Sequence, residues 1–329
     1  MVETYDEVSE FLNRWEHDSP SAQEAGLYTG DFATMYTSIP HEELFKAIET
    51  TTREAFDWAA DKLDIAREQI CIQQLGSGRC RWVKSLQRNG TLSHDLFMKH
   101  VRFLVSNTYL QAGDSLYRQK VGIPMGTNCA PGLANLFLFY YESAFISRLI
   151  TERGVLAARH FRTSFRLIDD LLSVGNPELE SALSVPFEEG GLYPRAMQLG
   201  KTSASTTEAE FIGIHITQKG TRFHLSVYDK RKSFPFTVRR YPRMNSLIPR
   251  TIPYGVFTGL LWRGFRINSG VNGFVSYALE IAQILRANGC TTKKLKRTFK
   301  AFIWSANKKY SATNTEVINR FCSKLGSKG

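Results

Sequence analysis

FRLIDDLLSV, residues 165–174, is an apolar stretch broken by two adjacent acids, Asp169 and Asp170. Burying one carboxylate is costly, and burying two side by side costs more unless a cation neutralises them. Two readings follow. The stretch is two short strands around a solvated turn, or it is a hairpin that carries a metal site at its tip. The doublet alone does not choose between them, so the choice rests on what the rest of the chain places around it.

At roughly 150 residues per domain, 329 residues suggest about two domains. The composition, 43% hydrophobic and 22% charged, is that of a globular protein. The five cysteines, Cys71, Cys80, Cys129, Cys290 and Cys322, form no CxxC pair and no Cys/His cluster with zinc spacing. That argues against a disulfide framework and for a reducing compartment. No run of about 18 apolar residues predicts a membrane span. The first twenty residues, MVETYDEVSEFLNRWEHDSP, are acidic and amphipathic, unlike a secretion or transit signal, so the protein is expected not to be secreted.

The net charge of +11 is unevenly placed. From residue 221 onward there are 21 Lys/Arg against 3 Asp/Glu, a net of +18. The remainder holds 21 against 28, a net of −7. A basic carboxyl-terminal third with interleaved aromatics (Phe234, Phe236, Tyr241, Phe265, Phe299, Trp304) suggests a polyanionic partner, most simply nucleic acid. The alternative is a solvated basic surface. KKLKR, residues 293–297, has the composition of a nuclear-import signal, or else is the basic face of a helix. Nuclear location is the first expectation and cytoplasmic the second.

Helical periodicity covers residues 41–63 and 93–111, with a loop or hairpin between them. Residues 115–121 alternate like a strand. GIPMGTNCAPG, residues 122–132, is a turn-rich loop before an apolar helix. EFIGIHIT (210–217) and RFHLSVYD (222–229) alternate around QKGT as a second hairpin. Residues 254–266, 271–288, 291–305 and 314–325 are helical. The boundary falls near 230–250, a stretch rich in Pro and Arg.

Upstream, LYTGDFATMYTSIPHEEL (27–44) places Asp31 at the end of a strand, Tyr36 five residues on, and a helix after Pro40. Asp31, then the Gly/Pro loop, then the Asp169–Asp170 hairpin is the order of the palm motifs of template-directed polymerases. Nucleotidyl transfer is an in-line displacement at phosphorus, and two Mg²⁺ ions stabilise the attacking and leaving oxygens. Mg²⁺ is hard and takes oxygen ligands from a few carboxylates and substrate phosphates. Asp31 and Asp169 would bridge the ions, the carbonyl of Phe32 would add an oxygen, and Asp170 would sit at the periphery. A bulky ring at position 36 would lie under the sugar and exclude a 2′-OH, which favours deoxynucleotides. Taken alone, Tyr36 can also be read as a packed core aromatic.

YTGDFATMYTSIPHEEL, QKVGIPMGTNCAPGLANLFLFYYE and FRLIDDLLSV resemble motifs A, B and C of reverse transcriptases, most nearly those of the telomerase-related, Penelope-like retroelement type. LYPRAMQLGKTSASTTEAEFIGIHITQKGTRFHLSVYDKRKSFPF resembles that group's motifs D and E, and RRYPRMNSLIPRTIPYGVFTGLLWRGFRI its thumb. The resemblance implies an α+β fold, a right-hand palm of antiparallel sheet flanked by helices followed by an all-helical thumb. An N-terminal helical remnant would occupy 1–26, the palm with partial fingers 27–235, and the basic thumb 236–329. It implies catalytic carboxylates at Asp31, Asp169 and Asp170, a sugar gate at Tyr36, and a nucleotide and template pocket lined by Gln119, Gly122, Pro124, Met125 and Gly126. Lys201 would protonate the leaving pyrophosphate, and Phe211–Ile216 would grip the primer. Two Mg²⁺ ions, with Mn²⁺ as a substitute, an RNA template, a DNA primer and dNTPs complete the set. Leu167 stands where the family has an aromatic. Only 30 residues precede Asp31, and the fingers strands with their triphosphate-clamping Lys and Arg are not found in them. The chain is therefore expected to be truncated at its N-terminus, with the fingers supplied upstream or by a partner chain. A non-catalytic nucleic-acid-binding relic is the alternative.

Overall fold

The computed structural model describes residues 5–18, 26–84, 90–236, 238, 240–306 and 309–326. In chain order the elements are α1 (Tyr5–Asp18), β1 (Leu27–Phe32), α2 (Met35–Ser38), α3 (His41–Leu63), β2 (Ile70–Gln74), β3 (Cys80–Lys84), β4 (Thr91–Leu92), α4 (His94–Ser106), β5 (Tyr109–Ala112), β6 (Ser115–Arg118), α5 (Ala130–Arg153) and α6 (Val155–Ala158). There follow β7 (Ser164–Leu167), β8 (Asp170–Val174), α7 (Leu179–Ser184), β9 (Leu199–Lys201), β10 (Glu208–Phe211), β11 (Ile214–Lys219), β12 (Arg222–Val227), and the helices α8 (Ile252–Ile267), α9 (Val271–Ala287), α10 (Thr292–Ser305) and α11 (Asn314–Gly326). This is an α+β fold: antiparallel sheets with flanking helices, then a helical carboxyl-terminal portion. Two compact units are distinguished, residues 1–29, 164–175 and 201–329, and residues 30–163 and 176–200. Strands β7–β8–β1–β9 form one sheet in that order.

In the first unit, β7 and β8 make an antiparallel hairpin with Leu167 opposite Asp170. The Gly175 N–H donates to the Gly26 carbonyl (2.9 Å), joining the end of β8 to the start of β1. Strands β10, β11 and β12 form an antiparallel meander. Its apolar face packs with Val8 and Leu12 of α1, Leu27, Leu172 and Val174 into one core. Helices α8–α11 enclose a second core around Phe257, Phe274, Phe299 and Phe321, all fully buried. Phe299 stacks on Phe321 with ring centroids 3.9 Å apart. Each such ring contributes roughly 1.5–3 kcal/mol by leaving water. Leu295, in the middle of KKLKR, is fully buried in this core, so the basic run is the exposed edge of a packed helix.

In the second unit, α3 packs beside α5, and the Tyr141 hydroxyl donates to the Glu43 carboxylate (3.4 Å). Burial and that carboxylate push the Tyr141 phenol up. Strands β3–β2–β4 form a small sheet, with Trp82 edge-on to Phe56 of α3 at 4.9 Å.

Two local expectations are corrected. Residues 93–111 are not one helix: α4 ends at Ser106, and Tyr109–Ala112 is a strand paired with β6 across a turn at Gly113 (φ 61°). EFIGIHIT is not one strand. It folds back at Ile212 and Gly213, both at positive φ (42° and 79°), so Phe211 pairs with Ile214. The buried residues record the fold-back: Phe211 and then Ile214 and Ile216 are inside, a change of phase that an uninterrupted strand would not make. Among the described residues, no helix is long and apolar enough to cross a membrane, and the five cysteines are free thiols.

Candidate active site

Asp31 lies in the second unit, near the end of β1. Strand alternation turns its side chain to solvent and the next one, Phe32, inward, where it is 4% exposed and edge-on to Tyr193 at 4.9 Å. The chain then makes the single turn α2, which carries Tyr36 half-buried.

The loop before α5 is sewn to α2. The Ile123 N–H donates to the Tyr36 carbonyl (2.6 Å) and the Gly122 N–H to the Ile39 carbonyl (2.8 Å). Pro40 and Val121 form an isolated bridge beside them. Only glycine fits at 122. Its φ is 87°, and a Cβ there would stand 2.4 Å from the Tyr36 carbonyl oxygen, 2.8 Å from Thr37 Cα and 3.0 Å from Gln119 Nε2. Tyr36, Gln119 and Gly122 are therefore brought together. Pro124 is buried, and its carbonyl accepts from the Thr127 N–H (3.4 Å) and hydroxyl (3.0 Å), closing the turn that enters α5. Met125 is 69% exposed, and Gly126 is exposed at φ 95°.

The doublet lies in the first unit. Because Leu167 opposes Asp170, the β7–β8 turn has two central residues, Ile168 and Asp169. Ile168 has φ 56°, at a position where a tight hairpin ordinarily uses glycine. A β-branched residue held there costs on the order of 1–3 kcal/mol and persists only where its surroundings impose it. One restraint is visible. Arg166, a cation only 2% exposed, donates from Nη1 to the Ile168 carbonyl (3.1 Å). Asp169 and Asp170 are both half-buried. Their hard carboxylate oxygens suit Mg²⁺, which takes one or two carboxylates and completes its shell with water and substrate phosphates. Lys201 is exposed in β9, with Nζ 5.5 Å from the Tyr28 ring centroid. Among the described residues, no group of three or more His, Cys, Asp or Glu is gathered as a metal site.

Two residues of these sites were not singled out from the sequence. Arg166 carried a signal, a lone cation inside an apolar strand. His41, whose Nε2 meets the Gly122 carbonyl at 2.8 Å, carried none, because its partner lies 81 residues away.

No protein-family model matches this chain, and no curated protein matches it. Solved structures do. Telomerase from Candida albicans, in complex with a TWJ fragment of telomeric RNA, matches with a TM-score of 0.52 at 12% identity, over 98% of this chain and 49% of that one. Apo telomerase from Candida tropicalis matches with a TM-score of 0.49 at 12% identity, over 98% and 50%. The chain spans about half the length of these telomerases. The Candida albicans likeness gives the fold as reverse-transcriptase-like, with palm-type sheet followed by thumb-type helices.

Proposed function

We propose that this chain is the palm and thumb of an RNA-directed DNA polymerase of the Penelope-like retroelement type, which extends a DNA primer with dNTPs on an RNA template. The observation that carries the proposal is the Asp169–Asp170 hairpin, whose turn is held in a strained conformation, within a telomerase-like fold. Asp31 is taken as the third acid from the order of the motifs along the sequence. In the first unit, β1 neighbours β8, and the Gly175 N–H donates to the Gly26 carbonyl. Asp31 lies two residues beyond Thr29 along β1.

Asp31 and Asp169 would hold two Mg²⁺, with the Phe32 carbonyl and Asp170 alongside; when bound, the ions supply charge stabilisation to the attacking and leaving oxygens. The protein's part is positioning. The Tyr36 ring excludes the 2′-OH, and Gln119, Gly122, Pro124, Met125 and Gly126 form the surface under the nascent base pair. Lys201 gives its proton to the departing pyrophosphate. The carboxyl-terminal segment, +18 from residue 221 onward, neutralises duplex phosphates.

Primer extension with Mg²⁺, an RNA template and a labelled DNA primer tests this. Extension with dNTPs but not rNTPs is expected, and Asp169→Ala should reduce the rate by about 10²–10³-fold, the scale on which lost transition-state charge stabilisation acts. Salt-sensitive binding with no extension by the wild type would instead establish a nucleic-acid-binding relic.

A further inference from the structure

We infer that His41 is a positioning residue that sets how sharply Tyr36 distinguishes a deoxyribose from a ribose. The inference rests on the polymerase reading above for the identity of the sugar, and on geometry alone for the positioning.

The Gly122–Ile123 peptide unit is the centre of the arrangement. Its carbonyl faces His41 Nε2 at 2.8 Å, and its N–H, on Ile123, donates to the Tyr36 carbonyl at 2.6 Å. A peptide group is planar, so these two ends turn together. A carbonyl only accepts, so Nε2 carries the proton and the tautomer is fixed. His41 is the first residue of α3, a helix of 23 residues, and Tyr36 sits on the four-residue α2 just before it. The long helix thus holds one end of the peptide plane while the other end fixes the backbone that carries Tyr36.

Gly122 is buried, and its two backbone groups are both engaged, the N–H with Ile39 and the carbonyl with His41. Removing the imidazole leaves a buried carbonyl without its partner, a loss that a small rotation of the peptide plane relieves. The same rotation carries the Ile123 N–H away from Tyr36. His41 therefore acts on the sugar contact through a single rigid peptide, without touching the nucleotide.

The test compares His41→Gln, His41→Asn and His41→Ala with the wild type. A Gln side-chain nitrogen reaches the place of Nε2, and an Asn nitrogen falls short of it. Amide hydrogen exchange of Gly122 and Ile123 reads the positioning without turnover. Exchange should quicken about tenfold in the Asn and Ala variants, equivalent to ~1.4 kcal/mol, and stay near wild type in Gln. In primer extension, the ratio of kcat/KM for dNTP over rNTP should fall about tenfold in Asn and Ala and be retained in Gln. A merely structural role would lower both rates together and leave that ratio unmoved. Unchanged exchange in His41→Ala overturns the positioning role, and raised exchange with an unchanged ratio overturns the link to the sugar. A wild type that exchanges as expected yet extends no primer fails the polymerase reading instead, and the sugar assignment goes with it.

Discussion

A single missing methyl group decides the contact between Tyr36 and the loop before α5. Gly122→Ala would drive a Cβ to 2.4 Å from the Tyr36 carbonyl oxygen, at a φ of 87° that L residues resist. We expect a loss of about 2–4 kcal/mol in unfolding free energy, read as a fall in Tm. Gly126→Ala is the control: its φ of 95° carries a similar conformational cost, but its Cβ would enter open space, so the loss should be only about 1–2 kcal/mol. At Tyr36 itself, truncation to Ala should relax exclusion of rNTPs by about tenfold or more, with dNTP incorporation retained, measured as the ratio of kcat/KM values. The doublet was singled out because carboxylates in an apolar stretch demand a reason, and Asp31 because of its place in the motif order. His41 was not, because an unremarkable residue at a helix start gains its role only from a carbonyl far along the chain.

At the scale of elements, the long helices were legible from their 3.6-residue period, since each buries one stripe against a core. The β10–β11 fold-back was missed because Ile212 is a poor turn residue, and its neighbour Gly213 alone suggests no more than a bulge. The helix continued too far past α4 because Tyr109 and Leu110 extend the apolar pattern, yet they are exposed on a short hairpin. In the helical portion, the Phe299–Phe321 stack sits at the centre of four helices, so Phe299→Ala should cost about 3–5 kcal/mol in chemical denaturation. The same bundle has a pH signature. The Tyr310 hydroxyl donates to the Phe265 and Asn268 carbonyls, both at 3.2 Å, and burial raises its pKa above the ordinary 10.0. Burial pushes Tyr241 up to about 12. A folded pKa raised above the unfolded value gives stability that is complete below pH 10 and lost as pH rises beyond it. The tyrosine contribution to Tm should therefore decline from pH 10 toward 12. Tyr310→Phe should make that decline shallower while lowering Tm modestly at neutral pH.

Across the whole molecule, the charge asymmetry was plain in the sequence, whereas which distant residues meet is a property of the folded chain that local pattern does not contain. A segment of net charge +18 that neutralises duplex phosphates releases counterions, so the logarithm of affinity for an RNA–DNA duplex should fall linearly with the logarithm of salt concentration, with a slope of about −0.9 for each phosphate contacted. A slope near zero would remove the nucleic-acid partner. The central claim, that Asp31 and the Asp169–Asp170 turn share one pair of ions, is tested most directly by Mn²⁺ electron paramagnetic resonance on the chain with primer–template and a non-hydrolysable dNTP. Two spin-coupled ions about 3.5–4 Å apart are expected, with the coupling abolished equally by Asp31→Asn and by Asp169→Asn. Uncoupled ions, or a coupled pair that survives Asp31→Asn, would contradict the account.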